Sequence, residues 1–287
     1  MNYPLILSHI YKERIWGGDR LVKDSASPIG EDWVLSVRDD DNSVVMNGEY
    51  AGHTLAEILN ITEKFPLLIK FIDSKETLSI QVHPDDKTAA LMGGEGGKSE
   101  MWYIIEALPD SYIYLGMKEN VDIEEFRKAV LYGDDPTSYL NKVSVSSGEC
   151  YYIPAGTPHA IGGGNYICEV QQNCDTTFRM YDYGRPRELH LKDAAMSLKK
   201  IDLPAPTRLG LLAECEYFRA ELLEIEGAGE ISAIKDGFVS LTIVSGEATI
   251  SVNDTKYSLS DRDSVYIPAG AEKYIIEGNA KFIKTTI

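Results

Sequence analysis

The chain has no Cys-x-x-Cys pair, no basic excess and no long apolar run, and each absence removes a class of function. The four cysteines, Cys150, Cys168, Cys174 and Cys215, do not have the spacing of a zinc ribbon or a thioredoxin-like redox motif. Reduced thiols in a cytoplasmic protein are the expectation. Acidic residues (45) outnumber basic ones (28), for a net charge of −17. Nucleic acid and anionic membrane surfaces both call for basic protein surface, so neither is an expected partner. No apolar stretch approaches the ~20 residues of a membrane-spanning helix. The start, Met1 to Leu7, has neither a basic segment nor a small-residue cleavage site, so no signal peptide is expected. Histidine is scarce too, with five in all and none after His190.

What is present is an ordinary globular balance, 44% hydrophobic and 25% charged over 287 residues. That length suggests about two domains on a prior of ~150 residues each, with enough chain to bury a core without disulfides. The sequence also repeats itself. Tyr152-Ile-Pro-Ala-Gly156 returns as Tyr266-Ile-Pro-Ala-Gly270, a period of 114 residues, which implies a duplicated, domain-sized unit. Short β-rich runs surround both copies: Met101 to Ile105, Ser111 to Leu115 and Cys150 to Ile153 in the first, Ala248 to Asn253 and Val265 to Ile267 in the second. Gly, Asp and Pro punctuate them, with Asp254 opening a turn. The pattern predicts a mainly β chain of sandwich or barrel type. Three helices are expected, near 85–92, near 122–131 with Asp122 as its cap, and near 192–200. The two prolines of Leu203-Pro-Ala-Pro-Thr207 mark the best linker. Two domains follow, 1–207 and 208–287, and neither is basic.

The strongest chemical signal is Gly148-x5-Pro154-x-Gly156-x2-His159. A tight Pro/Gly turn between strands fixes where His159 stands. Upstream, Gln81 and His83 are two apart and share a strand face, as do Lys98 and Glu100. Two imidazoles, a carboxylate and an amide oxygen from three strands make a mixed N/O metal site. Such a set suits zinc, manganese, iron or nickel, with zinc favoured for chemistry without redox. His9, His53 and His190 belong to no such pattern and read as structural. Arg179, Arg185 and Arg187 stand against one acid, Asp182, in a strongly acidic chain, and a guanidinium fork suits a phosphate oxyanion. Ion pairing with Asp182 or Glu188 is the bland alternative for them. Tyr181 and Tyr183 share the parity of Arg179 if the strand there stays regular. Trp16, before Gly17-Gly18, either covers one side of the site or pins the N-terminal segment.

The Gly148 to His159 segment resembles the second motif of the cupin superfamily, and Gln81-Val-His83 with Glu100 resembles a variant of the first. More closely, the chain resembles the short bacterial type I mannose-6-phosphate isomerases (phosphomannose isomerases). The carrying residues are Trp16-Gly-Gly, Gln81-Val-His-Pro-Asp-Asp, Gly97-Lys-Ser-Glu-Met-Trp-Tyr, Ile153-Pro-Ala-Gly-Thr-Pro-His-Ala-Ile and Thr177-Phe-Arg-Met-Tyr-Asp-Tyr-Gly-Arg. The resemblance implies two cupin-type jelly-roll barrels, the N-terminal one with inserted helices. It implies interconversion of mannose 6-phosphate and fructose 6-phosphate, with Gln81, His83, Glu100 and His159 as ligands of one divalent ion, zinc favoured. It further implies catalytic roles for Arg179, Lys98 and Glu169, and a substrate contact from Arg185, where some relatives carry lysine; Trp16 is counted as a further substrate contact on its position alone. Gln81 replaces the first cupin histidine, which speaks against iron-dependent cupin dioxygenases.

The second copy departs from the first. Ala271-Glu272-Lys273 stands where the first has Thr157-Pro158-His159, and Arg262 stands where the first has Gly148. No comparable metal site can form there, so that domain reads as structural or as an interface. The proton-moving base at C1/C2 is open between Glu169, Lys98 and a hydroxide on the metal. Competing functions are a non-catalytic sugar-binding metal cupin and another metal-dependent cupin enzyme such as a dioxygenase. The expected partner is a small phosphosugar, and the expected state is a monomer or weak homo-oligomer.

Overall fold

The computed structural model describes residues 3–38, 41–61, 64–253, 255–270 and 273–287. Asp254, Ala271 and Glu272, which figure in the comparison of the two copies, lie outside the described residues. The chain is mainly β, with several open sheets. It divides into two compact units, one made of residues 12–31 and 72–206, the other of 1–11, 32–71 and 207–287. No described helix is long and apolar enough to cross a membrane.

The unit containing the first copy holds a five-stranded sheet in the order Leu140–Ser144, Tyr112–Met117, His159–Ile161, Ile80–Val82, Phe178–Tyr181. A six-stranded sheet runs Cys150–Ile153, Glu100–Ala107, Asn165–Gln172, Leu67–Ser74, Ile10–Gly18, Ile29–Leu35. Asn165–Gln172 is buried along its whole length, as a strand covered on both faces must be. Trp102, Ile104, Ile153 and Ile167 from the larger sheet join Ile113, Leu115 and Ile161 from the smaller in one hydrophobic cluster, with Trp16. Each fully buried aliphatic chain there contributes about 1.5–3 kcal/mol.

The far face of the smaller sheet is covered by helices. Ile80, Val82, Ala160 and Met180 pack against Phe126 and Val130 of helix Ile123–Tyr132 and Ala194 and Ala195 of helix Leu191–Ser197. Asp122 caps the first of these by accepting from the N–H groups of Glu124 and Glu125, and Gly133 ends it in the left-handed region at φ +76°, the usual helix stop. The remaining helix, Asp86–Leu91, is capped by Asp85. One face of the smaller sheet is thus closed by helices and the other meets the larger sheet through the apolar cluster, beside which the polar side chains of the site are grouped.

In the other unit a seven-stranded sheet is built on three long strands, Arg219–Ser232, Phe238–Val252 and Lys273–Thr286. Burial alternates along Lys273–Thr286, the period-two signature of one face on a core. The register of the middle strand shifts between Ile243 and Ser245, and Gly246 follows directly. That residue has φ +86°, and a Cβ on it would fall 2.1 Å from the Asn279 carbonyl oxygen, so only glycine fits. Strand Leu5–Ile6 adds to the edge of this sheet, with Leu5 opposite Tyr266.

The sequence repeat is also a backbone repeat. Strand Cys150–Ile153 precedes Pro154, and strand Ser264–Pro268 carries the second proline. Six residues before each proline the backbone is left-handed, at φ +86° for Gly148 and φ +71° for Arg262. An arginine there carries a cost of ~1–2 kcal/mol that glycine avoids. Its guanidinium makes a 3.0 Å ion pair with the buried Asp32.

Candidate functional site

The candidate site is built from residues 72–206, on strands of the five- and six-stranded sheets. His159 begins its strand, in register with Gln81 on one neighbour and Leu115 on the other. His83 follows strand Ile80–Val82 directly. Glu100 opens the strand Glu100–Ala107 of the opposite sheet. The Pro154–Gly156 turn holds these pieces together, because the Gly156 N–H donates to the His83 carbonyl at 2.8 Å.

His83, Glu100 and His159 are almost wholly buried, with ligand atoms within 4.8 Å of one another. His83 Nε2 is 3.5 Å from Glu100 Oε2, and His159 Nε2 is 3.4 Å from Glu100 Oε1. The Nδ1 atoms point away, each 2.8 Å from a backbone carbonyl, Thr176 for His83 and Thr157 for His159. Carbonyls only accept, so each Nδ1 carries the proton and each Nε2 presents a lone pair to the carboxylate. Burial pushes His159 down to about 4, despite the hydrogen bond to Thr157, so its ring stays neutral at physiological pH. Two imidazoles whose Nε2 atoms converge on a carboxylate form the donor set a divalent ion needs, with the outer nitrogens already anchored. The residues present fit a metal ion. Gln81 directs Nε2 toward His159 Nε2 at 3.3 Å, and its Oε1 accepts from the Ser79 hydroxyl at 3.4 Å. A half-turn of the terminal amide brings the oxygen to the histidine side.

Lys98 and Glu169 join this cluster. The Lys98 ammonium is 2.7 Å from Glu100 Oε2, 3.3 Å from His83 Nε2 and 3.5 Å from Glu169 Oε1. Burial opposes its charge, yet Glu100 and Glu169 more than restore it, and the ammonium is held above its ordinary range. Glu169 sits directly across the strand pair from Trp102, whose indole N–H donates to Glu169 Oε2 at 2.8 Å. The Trp102 ring meets His159 edge-on, with centroids 5.4 Å apart. Trp102 escaped the sequence reading, although it shares the parity of Glu100 on a β-rich run and the two-residue rule would have found it.

Arg179 is in register with Gln81, which places both on one face of the sheet. Its Nε donates to Ser79 Oγ at 3.3 Å and one terminal nitrogen to the Glu188 carbonyl at 2.7 Å. Burial and then the neighbouring Arg187 pull its pKa downward, with Asp182 opposing, the mark of a crowded cationic locus. Asp182 is buried and takes a bidentate pair from Arg187 at 2.6 and 2.7 Å and a contact from Arg185 at 2.9 Å. Arg185 also donates to the Thr77 carbonyl at 2.8 Å. The expected shared parity of Arg179, Tyr181 and Tyr183 fails. The register shifts between Arg179 and Tyr181, the strand ends, and Tyr183 turns left-handed at φ +53°. The two tyrosine rings pack edge-on instead, 5.0 Å apart. Trp16 is buried within the inter-sheet cluster.

The model of the phosphomannose isomerase type I catalytic domain matches residues 5–98, and that of the mannose-6-phosphate isomerase cupin domain matches residues 209–287. The chain is 34% identical to the mannose-6-phosphate isomerase ManA of Bacillus subtilis, over 98% of both chains. It is 32% identical to a mannose-6-phosphate isomerase of Streptococcus mutans, over 99% of this chain and 98% of that one. A crystal structure of the mannose 6-phosphate isomerase from Bacillus subtilis superposes with a TM-score of 0.87 at 32% identity, covering 99% of each chain. A zinc-bound mannose 6-phosphate isomerase structure, 16% identical, shares the fold with a TM-score of 0.77 over 99% of each chain.

Proposed function

The chain belongs to the type I phosphomannose isomerase family, and on that premise we propose that it interconverts mannose 6-phosphate and fructose 6-phosphate by moving a proton between C1 and C2. The observation that carries this reading is the meeting of two lone-pair-bearing imidazoles and a carboxylate with a buried Lys98–Glu169 pair. His83, Glu100 and His159, with Gln81 after its amide turns, would hold one divalent ion, for which the N/O donor set favours zinc. Such an ion supplies Lewis acidity and a template for the sugar oxygens.

The remaining work falls to side chains. Glu169 is the acid–base group in this proposal, since one oxygen of its carboxylate is held by the Trp102 indole N–H and the other is paired with the Lys98 ammonium at 3.5 Å, beside the candidate ligands. Lys98, kept protonated, supplies positive charge where the enediolate oxygen develops. Arg179 faces the same side as Gln81 and adds a second, planar donor. Arg185, steadied by Asp182, is assigned to the phosphate, and Trp16 is assigned to the sugar side of the site, anchored by the hydrophobic cluster. Residues 1–207 form the catalytic cupin in this reading. Residues 208–287 form a degenerate one that is structural or an interface, with both cupins derived from the jelly roll. The enzyme acts in the cytoplasm as a monomer or weak homo-oligomer, on a free phosphosugar, with no nucleic-acid or membrane partner.

The test is an isomerase assay on mannose 6-phosphate run beside oxygen uptake. Fructose 6-phosphate should accumulate in a divalent-ion-dependent manner with no oxygen consumed. Oxygen uptake, or sugar binding without turnover, would overturn the proposal.

A further inference from the structure

We propose that Trp102 is a positioning residue for the isomerisation, fixing the orientation of the Glu169 carboxylate and backing the His159 ring. The inference rests on the acid–base role proposed for Glu169. Trp102 and Glu169 are directly opposed on neighbouring strands, and the indole N–H donates to Oε2 at 2.8 Å. A carboxylate on a two-bond stem swings freely about its last torsion unless one oxygen is held. With Oε2 on the indole, Oε1 is the oxygen turned to Lys98 at 3.5 Å. The same ring stands edge-on to His159, so one rigid side chain touches both the acid–base group and a candidate metal ligand.

The choice of residue is informative. Trp102 is 1% exposed in a mostly aliphatic cluster that also holds Trp16 and Tyr151. Packing alone would be served by phenylalanine, which brings no polar atom needing a partner. A buried indole requires an acceptor, and here that acceptor is an acidic side chain, which makes the bond charge-assisted and directional. Parity also argues for the role: Trp102 follows Glu100 by two on the same strand, so the strand that delivers a metal-site carboxylate also delivers the group that orients the acid–base carboxylate.

The experiment is a double-mutant cycle of Trp102→Phe and Glu169→Gln, with an independent spectroscopic arm. Phenylalanine keeps the ring and deletes the donor. Trp102→Phe should lower kcat about tenfold or more, the scale of one hydrogen bond to a charged group, while KM and bound metal stay within about twofold. In the Glu169→Gln background the same change should alter kcat less than about twofold, because the group it positions is already gone. In the metal-free protein the Trp102 indole N–H resonance should be protected from solvent exchange, and Glu169→Gln should move it. That arm does not require the Trp102 variant to fold. Undiminished kcat in Trp102→Phe, additive effects in the cycle, or an indole resonance indifferent to Glu169→Gln would each overturn the proposal. If Glu169→Gln is itself fully active, the acid–base assignment fails, and that result is distinct from the others.

Discussion

The N–H of Gly156 donates to the carbonyl of His83 at 2.8 Å, so the turn that delivers one histidine is fastened to the strand that delivers the other. Gly156 has φ +94°, and a Cβ on it would lie 2.8 Å from the Lys199 side chain. Lys199 can yield, but alanine in that backbone conformation cannot relax. Gly156→Ala should therefore cost about 1–2 kcal/mol of stability and loosen both histidines together. A lowered melting temperature with metal lost at lower chelator concentration is the expected pair of results. An unchanged chelator titration would show that the turn does not govern the site.

Metal content should follow the donor set. Dialysed protein is expected to hold one divalent ion per chain, and His159→Ala or Glu100→Gln should lose both ion and activity. Because the Nε2 lone pairs are pre-oriented by the Thr157 and Thr176 carbonyls, the metal-free protein should stay folded. Elemental analysis with circular dichroism checks this. Two tight ions per chain, or full activity after exhaustive chelation, would contradict it.

Arg179→Lys keeps the charge and loses the fork. If Arg179 meets charge that grows in the transition state, kcat and kcat/KM should fall together by about 10²–10³, with metal content unchanged. The bonds from Arg179 to Ser79 and Glu188 make a small fall in melting temperature part of the same expectation. A rise in KM at constant kcat would reassign it to ground-state binding.

Asp182→Asn should act on the phosphate. The buried carboxylate holds Arg187 through two bonds and Arg185 through a third, and an amide replaces one acceptor oxygen with a donor. With Arg185 no longer steadied, KM for the phosphosugar should rise several-fold while kcat changes little. Equal KM values for Asp182→Asn and the parent would remove Arg185 from the phosphate site.

A pH effect is also expected at residues outside the candidate site. His9 Nδ1 is 2.8 Å from Asp32, and its Nε2 is 3.6 Å from Asp263. Burial opposes the protonated ring, but Asp263 and Asp32 outweigh it and raise the pKa to about 9, with Arg262 working against them. The folded state thus binds the proton more tightly than the unfolded chain, so the stabilisation is complete below about pH 6.5 and is lost as the pH rises through 9. For a partly exposed imidazole this amounts to about 1–2 kcal/mol. The melting temperature of the parent should exceed that of His9→Gln at pH 6, and the gap should close by pH 9.5. A constant gap would show that protonation of His9 is irrelevant.

Much of the site was legible in the sequence because strand parity and turn chemistry are local. Gln81, His83, Glu100 and Lys98 follow from residues two apart, and His159 from the Pro/Gly turn. Three of the four described α-helices were legible from apolar spacing and turn residues, but the short helix Leu55–Leu59, capped by Thr54 with Glu57, was not among those expected. What periodicity could not supply was contact between distant segments. Nothing in the run from Phe178 to Tyr183 announces the register shift that separates Arg179 from the tyrosines. The indole–carboxylate bond between Trp102 and Glu169 joins residues 67 apart and depends on which strands pair. The cationic knot at Asp182 was visible as composition, but its internal pairing was not.

The edge strand Leu5–Ile6, opposite Val265 and Tyr266, ties an early segment of the chain to a late one in the order of folding. Residues 1–11 and 32–71 cluster with 207–287, so the first segments to leave the ribosome wait for the last ones. Residues 12–31 and 72–206 face no such delay, and their unit can close while the remainder is still being made, since domains fold as units on the nascent chain. The metal-site residues would then meet the ion before translation ends, while Leu5 and the strands that receive it are the last to be satisfied. A stall or truncation after residue 206 would release a chain with its chemistry assembled and an unpaired, apolar N-terminal strand exposed, which is a handle for chaperones and proteases.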